Sequence, residues 1–151
     1  MDIKVDNLEN GGVIGLLEEH LADMYATSPA ESVHALDVDA LKATDITFFS
    51  GWKDSLLMGC VAIKVLDEEH VELKSMRTST HARQSGVASQ LLEHALKQAT
   101  QLGYTRVSLE TGTEEYFRPA RNLYEKFGFQ YCGPFSNYTL DPHSQFMTLA
   151  L

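Results

Sequence analysis

The chain is short of cysteine, of long apolar runs and of basic charge, and each shortage removes a class of protein. Cys60 and Cys132 are its only cysteines. They form no CxxC pair and have no histidines at zinc-site spacing. Neither a disulfide scaffold nor a metal centre is expected, and both are read as reduced thiols of a cytoplasmic protein. The longest apolar stretches, such as LLMGCVAI (56–63), are far too short to span a bilayer. The first ten residues, MDIKVDNLEN, have neither the basic nor the apolar region of a secretory leader, so no membrane partner is expected. A net charge of −9 argues against a general nucleic-acid binder. Low-complexity runs and internal repeats are also missing.

What remains is ordinary globular material. With 151 residues, 44% of them hydrophobic, the chain can bury a sound core, and one domain over residues 1–151 is expected. Charge is unevenly spread: residues 1–75 carry a net −10 and residues 76–151 a net +1. Val13, Leu16, Leu17, His20, Leu21 and Met24 recur at helical spacing and predict a helix over 12–26. A loop with Pro29 follows, and Asp37 is placed to cap a short helix reaching Ala43. Strands are predicted over 46–52, 56–66 and 71–78, joined by tight turns as an antiparallel meander. A long amphipathic helix over 86–102 then leads to a strand over 105–111. This βαβ order makes 71–78 and 105–111 parallel neighbours. Pro119 opens a helix that Gly128 closes. Two terminal strands, 129–135 and 144–151, complete an α+β chain.

The stretch between the third strand and the long helix reads Arg83-Gln84-Ser85-Gly86-Val87-Ala88. Gly86 and Ala88 leave room for a ligand to approach the backbone, and the first N–H groups of the helix lack intrahelical partners. Such a helix start attracts anions, and Arg83 can add charge-assisted hydrogen bonds. The spacing fits neither a Walker A loop nor GxGxxG.

R-x-x-G-x-A between a strand and an amphipathic helix resembles the acetyl-CoA-binding motif of the GNAT acetyltransferases. Ala120-Arg121-Asn122-Leu123-Tyr124-Glu125-Lys126-Phe127-Gly128-Phe129 is similar to the family's A-x-x-L-Y-E-x-x-G-F segment. The order of elements agrees along nearly the whole chain. The resemblance implies a mixed, mostly antiparallel sheet whose central parallel strands splay apart around acetyl-CoA, the acetyl donor. The backbone of Met76, Arg77 and Thr78 would pair with the pantetheine arm. Residues Gln84, Ser85, Gly86, Val87 and Ala88, with Arg83, would hold the pyrophosphate. No metal is implied, and a homodimer is a family-level expectation.

Acetyl transfer to an amine needs a base, a donor to the carbonyl oxygen and an acid for the departing thiolate. Glu72, 14 residues ahead of Gly86, matches the glutamate that some family members use as the base. A carboxylate beside a cleft should have a raised pKa. The alternatives are an ion pair with Lys74 on the same strand face or a solvated side chain, and Glu110 is a rival base. Tyr124 matches the tyrosine that points at the cofactor sulfur, and is read as the acid or as a packed aromatic. The oxyanion donor would be a backbone N–H near Met76. The chain departs from the family at Phe117, where many members carry asparagine; Asn122 is the candidate substitute contact.

On the acceptor side the resemblance points to Ser28, Glu31, Ser32 and His34 in the early loop, with Arg77, Tyr116 and Arg118. Arg77 or Arg118 could hold a substrate carboxylate, contact cofactor phosphate or lie solvated. The implied function is transfer of acetyl to the primary amine of a small molecule, as in bacterial small-molecule members of the family. A protein N-terminal or lysine acetyltransferase and a non-catalytic acyl-CoA sensor are the alternatives.

Overall fold

A computed structural model describes residues 1–151. Seven strands form one sheet in the order β1-β2-β3-β4-β5-β7-β6. They are β1 (Asp2–Val5), β2 (Ile46–Lys53), β3 (Leu56–Val65), β4 (His70–Thr78), β5 (Arg106–Gly112), β6 (Gln130–Cys132) and β7 (Ser144–Ala150). The helices are α1 (Gly11–Thr27), α2 (Val38–Leu41), α3 (Val87–Gln101) and α4 (Arg118–Lys126). All strand pairs are antiparallel except β4 with β5, which is parallel as the βαβ order requires. No helix is long and apolar enough to cross a membrane.

Strand periodicity divides the core between the two faces. Phe48, Cys60 and Ala62 point to one face, where they pack against Val13, Leu16 and Leu17 of α1 and Leu41 of α2. Phe49, Val61 and Ile63 point to the other, where Leu91, Leu92, Ala95 and Ala99 of α3 and Tyr124 of α4 cover them. Asn10 starts α1 by accepting from the Gly12 and Val13 N–H groups. The β2–β3 hairpin turns at Asp54 and Ser55, both at positive φ, the geometry of a tight two-residue hairpin turn. Both cysteines are free, and burial pushes the Cys60 thiol up to about 12.

Three elements differ from expectation. Strand β1 pairs with β2 from Asp2↔Trp52 to Val5↔Phe49, but only Ile3 is partly buried, so no apolar alternation marks it. The short helix capped by Asp37 ends at Leu41. The strand expected over 129–135 is reduced to Gln130–Cys132, because the chain leaves the sheet at Gly133-Pro134.

The feature that positions the site is in β4. Cys60 pairs with Arg77 and Ala62 with Lys74, so Ser75 and Met76 together oppose Val61. This is a β-bulge, with Ser75 at φ 53°. On its other edge β4 pairs with β5 only over His70–Glu72 and Arg106–Ser108. Beyond Glu72 the two strands part. The far end of β5 is held by Arg121 of α4, whose Nη1 donates to the Gly112 carbonyl at 2.6 Å and the Glu114 carbonyl at 3.2 Å. Phe117 lies flat on Gly112: a Cβ there would stand 2.2 Å from the ring. Gly112→Ala should therefore destabilise the fold by about 1–3 kcal/mol. A thermal melt should show it as a fall of about 2–4 °C per kcal/mol, which Phe117→Leu in the same chain partly restores.

Candidate active site

The parting of β4 and β5 opens a cleft of about 650 Å³. Its walls bring together Glu72, Met76, Arg77, Thr78, Arg83, Gln84, Gly86, Val87, Ala88, Tyr124 and the rival base Glu110. From the acceptor side it also takes Ser28, Ser32, His34 and Tyr116. Ser85, Asn122, Glu31 and Arg118 are not on its wall. Ser85 is exposed and donates its hydroxyl to the Ala82 carbonyl. Asn122 is on the exposed side of α4. Glu31 is exposed, and Arg118 is a surface residue paired with Glu115 at 2.6 Å.

At one end of the cleft Gly86 caps α3 at φ +81° with no side-chain hydrogen bond to the first turn. Gln84, two residues earlier, also has positive φ. No atom lies within 4 Å of where a Gly86 Cβ would stand. The first N–H groups of a 15-residue helix thus open onto space with Arg83 beside them, a geometry suited to an anion.

In the middle of the cleft the two glutamates differ. Glu72 is buried, and its Oε2 accepts from Lys74 Nζ at 3.2 Å and from Tyr138 Oη at 2.5 Å. The ion pair with Lys74 is thus present. Glu110 forms no salt bridge. Burial pushes its pKa up to about 7; the charges of Glu72 and Asp141 add to the rise, and Ser144 and Lys74 oppose it. The perturbed carboxyl of the cleft is therefore Glu110. Tyr124, also buried, keeps its proton: burial and then the nearby Glu110 charge raise its pKa.

Arg77 is buried on the cleft wall. Its Nη2 reaches Glu19 and Asp23, one turn apart on α1, at 2.5 and 2.8 Å, and Nη1 lies 3.5 Å from Tyr116 Oη. Two carboxylates of α1 already meet this guanidinium, and its Nε has no hydrogen-bond partner. Beside it His20 is lowered to about 4, chiefly by burial and then by Arg77, and is neutral at neutral pH.

Tyr138, His143 and His20 line the cleft without having been singled out as site residues. Tyr138 and His143 come from the segment between β6 and β7, which carries no motif. His20 shares the apolar stripe of α1, and the stripe alone would not reveal it.

A sequence profile of the acetyltransferase (GNAT) family matches residues 13–129. The chain is 51% identical over 151 residues to the uncharacterized N-acetyltransferase YsnE of Bacillus subtilis, covering 100% of both chains. It is 38% identical over 139 residues to an IAA acetyltransferase of Azospirillum brasilense, covering 89% of this chain and 88% of that one. Among solved structures, a GNAT family acetyltransferase from Elizabethkingia anophelis with acetyl-CoA bound superposes with a TM-score of 0.73 at 16% identity, covering 99% of this chain and 97% of that one.

The Glu110 carboxyl makes stability pH-dependent. Folded, it keeps its proton up to about pH 7, whereas the free side chain loses it near 4.5. The folded state therefore binds more protons between these values, and this group's contribution to stability falls as pH rises through the window. Denaturant melts at pH 5 and pH 8 should show Glu110→Gln gaining about 2 kcal/mol on the wild type between the two.

Proposed function

The chain belongs to the GNAT acetyltransferase family, and on that premise we propose that it moves acetyl from acetyl-CoA to a primary amine of a small molecule by direct attack, with Glu110 as base and Tyr124 as acid. The observation that carries this reading is the pairing, in one cleft, of a carboxyl raised to about 7 and free of any salt bridge with a buried phenol that keeps its proton.

The residues present fit the donor. The uncapped start of α3 at Gly86, with Gln84 at positive φ and Arg83 alongside, suits the pyrophosphate. The edge of β4 from Met76 to Thr78, with no strand beside it, suits an extended amide-bearing arm. Phe117 offers no hydrogen bond and contributes an apolar wall instead. When bound, acetyl-CoA supplies an activated carbonyl carbon and a thiolate leaving group.

The rest is done by the chain. Glu110 takes a proton from the acceptor's ammonium, directly or through a water, because its pKa lies near the working pH. A backbone N–H at the Ser75–Met76 bulge donates to the carbonyl oxygen as charge develops there. Tyr124 Oη gives its proton to the thiolate. Glu72, the base candidate from the sequence, is committed to Lys74 and Tyr138, and in this reading it adjusts the field at Glu110. A non-catalytic acyl-CoA sensor would need neither Glu110 nor Tyr124 in these surroundings.

Release of free thiol from acetyl-CoA across a panel of amines tests this. Glu110→Gln should lower kcat by about 100-fold or more, and Tyr124→Phe by about tenfold to 100-fold. Both should leave acetyl-CoA affinity nearly unchanged by calorimetry. Glu72→Gln should keep substantial turnover and move the acidic limb of the pH–rate profile downward, since the Glu72 charge raises the Glu110 pKa. Full activity in both Glu110→Gln and Tyr124→Phe would overturn the role assignments.

A further inference from the structure

The cleft is open to both faces of the sheet, and the face carrying α1 is the one left for an acceptor once α3 and its loop are given to the donor. On that face four separate parts of the chain surround the cleft: α1, the segment 28–36, the segment 133–143 and the β5–α4 connection. None of the contacts among them is part of the sheet or the core. Ser32 Oγ donates to Asp141 Oδ2 at 2.7 Å, tying the early loop to the segment before β7. Next to it the His34 ring meets Tyr138 edge-on, with centroids 5.0 Å apart at 88°. Across the cleft, Tyr116 Oη donates to Asp23 Oδ2 at 3.3 Å, tying the β5–α4 connection to α1.

Two of the ties are anchored behind. Asp23 is held by Arg77 of β4, and Tyr138 by Glu72 and Lys74 of β4. The Tyr116 ring rests edge-on against Phe117, centroids 5.0 Å apart, and Phe117 rests on Gly112. Tyr116–Asp23 therefore joins the two strands that part, through side chains, while His34–Tyr138 joins β4 to the early loop and Ser32–Asp141 joins that loop to the segment before β7.

We propose that Tyr116–Asp23, Ser32–Asp141 and His34–Tyr138 form a closed rim around the acceptor side of the cleft and act as its size filter. The inference rests on the acetyltransfer reading and deepens it: the acceptor is a compact primary amine that enters whole. A lysine borne on a peptide needs an open groove for the chain on either side of it, and the rim blocks that groove. Tyr116, Ser32 and His34 are specificity-determining residues, which explains why the early loop and the β5–α4 connection approach each other's side of the cleft.

The test compares compact primary amines with a lysine-containing pentapeptide as acceptors, reading thiol release from acetyl-CoA. The wild type should favour the best compact amine in kcat/KM by about 100-fold or more. Tyr116→Ala, and separately Ser32→Ala from the opposite side of the rim, should each raise the peptide-to-amine ratio by about tenfold while calorimetry shows acetyl-CoA affinity held within about twofold. Melting curves establish that each variant is folded. A wild type that acetylates the peptide as well as the compact amines overturns the filter and leaves the acetyltransfer reading standing. So does an unchanged ratio in both folded variants. No thiol release with any amine, while acetyl-CoA still binds, removes the acetyltransfer reading and the filter with it.

Discussion

The parting of β4 from β5 is the constraint on which the molecule is organised. A parallel pair joined at three residue pairs and then opened leaves backbone donors and acceptors without sheet partners. A sheet does not open in this way unless both strands are held from outside. On the β4 side, the bulge at Ser75–Met76 turns the strand, and Arg77 locks it to α1 through Glu19 and Asp23. On the β5 side, Arg121 grips the Gly112 carbonyl from α4, and β7 pairs with β5 over its whole length. The cleft is therefore a built opening, and the edge of β4 past Glu72, unpaired with β5, forms one of its walls.

The opening separates the fates of two carboxylates. Glu72 stands at the last paired position of β4, next to Lys74 and under Tyr138, and every partner stabilises its charge. Glu110 stands on β5 past the point where the strands separate. It forms no ion pair, so burial favours its proton, and the Glu72 charge adds to this against the opposing Ser144 and Lys74. Pairing one of two neighbouring carboxyls with a cation and burying the other without such a partner is a general way to obtain a base that works near neutral pH. Lys74, by answering Glu72, keeps the second charge in place.

Much of this was legible in the sequence. Helical spacing located α1 and α3, the βαβ order required the parallel pair, and Gly86, read as leaving room for a ligand at the backbone, stands at the start of α3. The A-x-x-L-Y signature drew attention to Tyr124, which lines the cleft. The base was harder to read. Glu72 and Glu110 are both mid-strand glutamates; the Lys74 pairing of Glu72 is one of the readings the strand period offers, but the burial of Glu110 without an ion pair depends on how the strands and loops pack around it. Arg77 looked free because Glu19 and Asp23 are more than fifty residues away in the chain. Tyr138 left no trace at all, since its position depends on how the segment 133–143 folds back onto β4.

Phe117 shows how one side chain organises its neighbours. Its ring cannot make a polar contact and needs a place to lie. It lies on Gly112, where any side chain would clash, so the glycine at the end of β5 and the phenylalanine five residues later form one packing unit. That unit fixes Tyr116, the preceding residue, edge-on to the ring and within reach of Asp23. The unit thereby supplies an apolar wall inside the cleft and a polar contact at its rim. A substitution at Gly112 would act first on packing, and through Phe117 and Tyr116 on the acceptor side of the cleft.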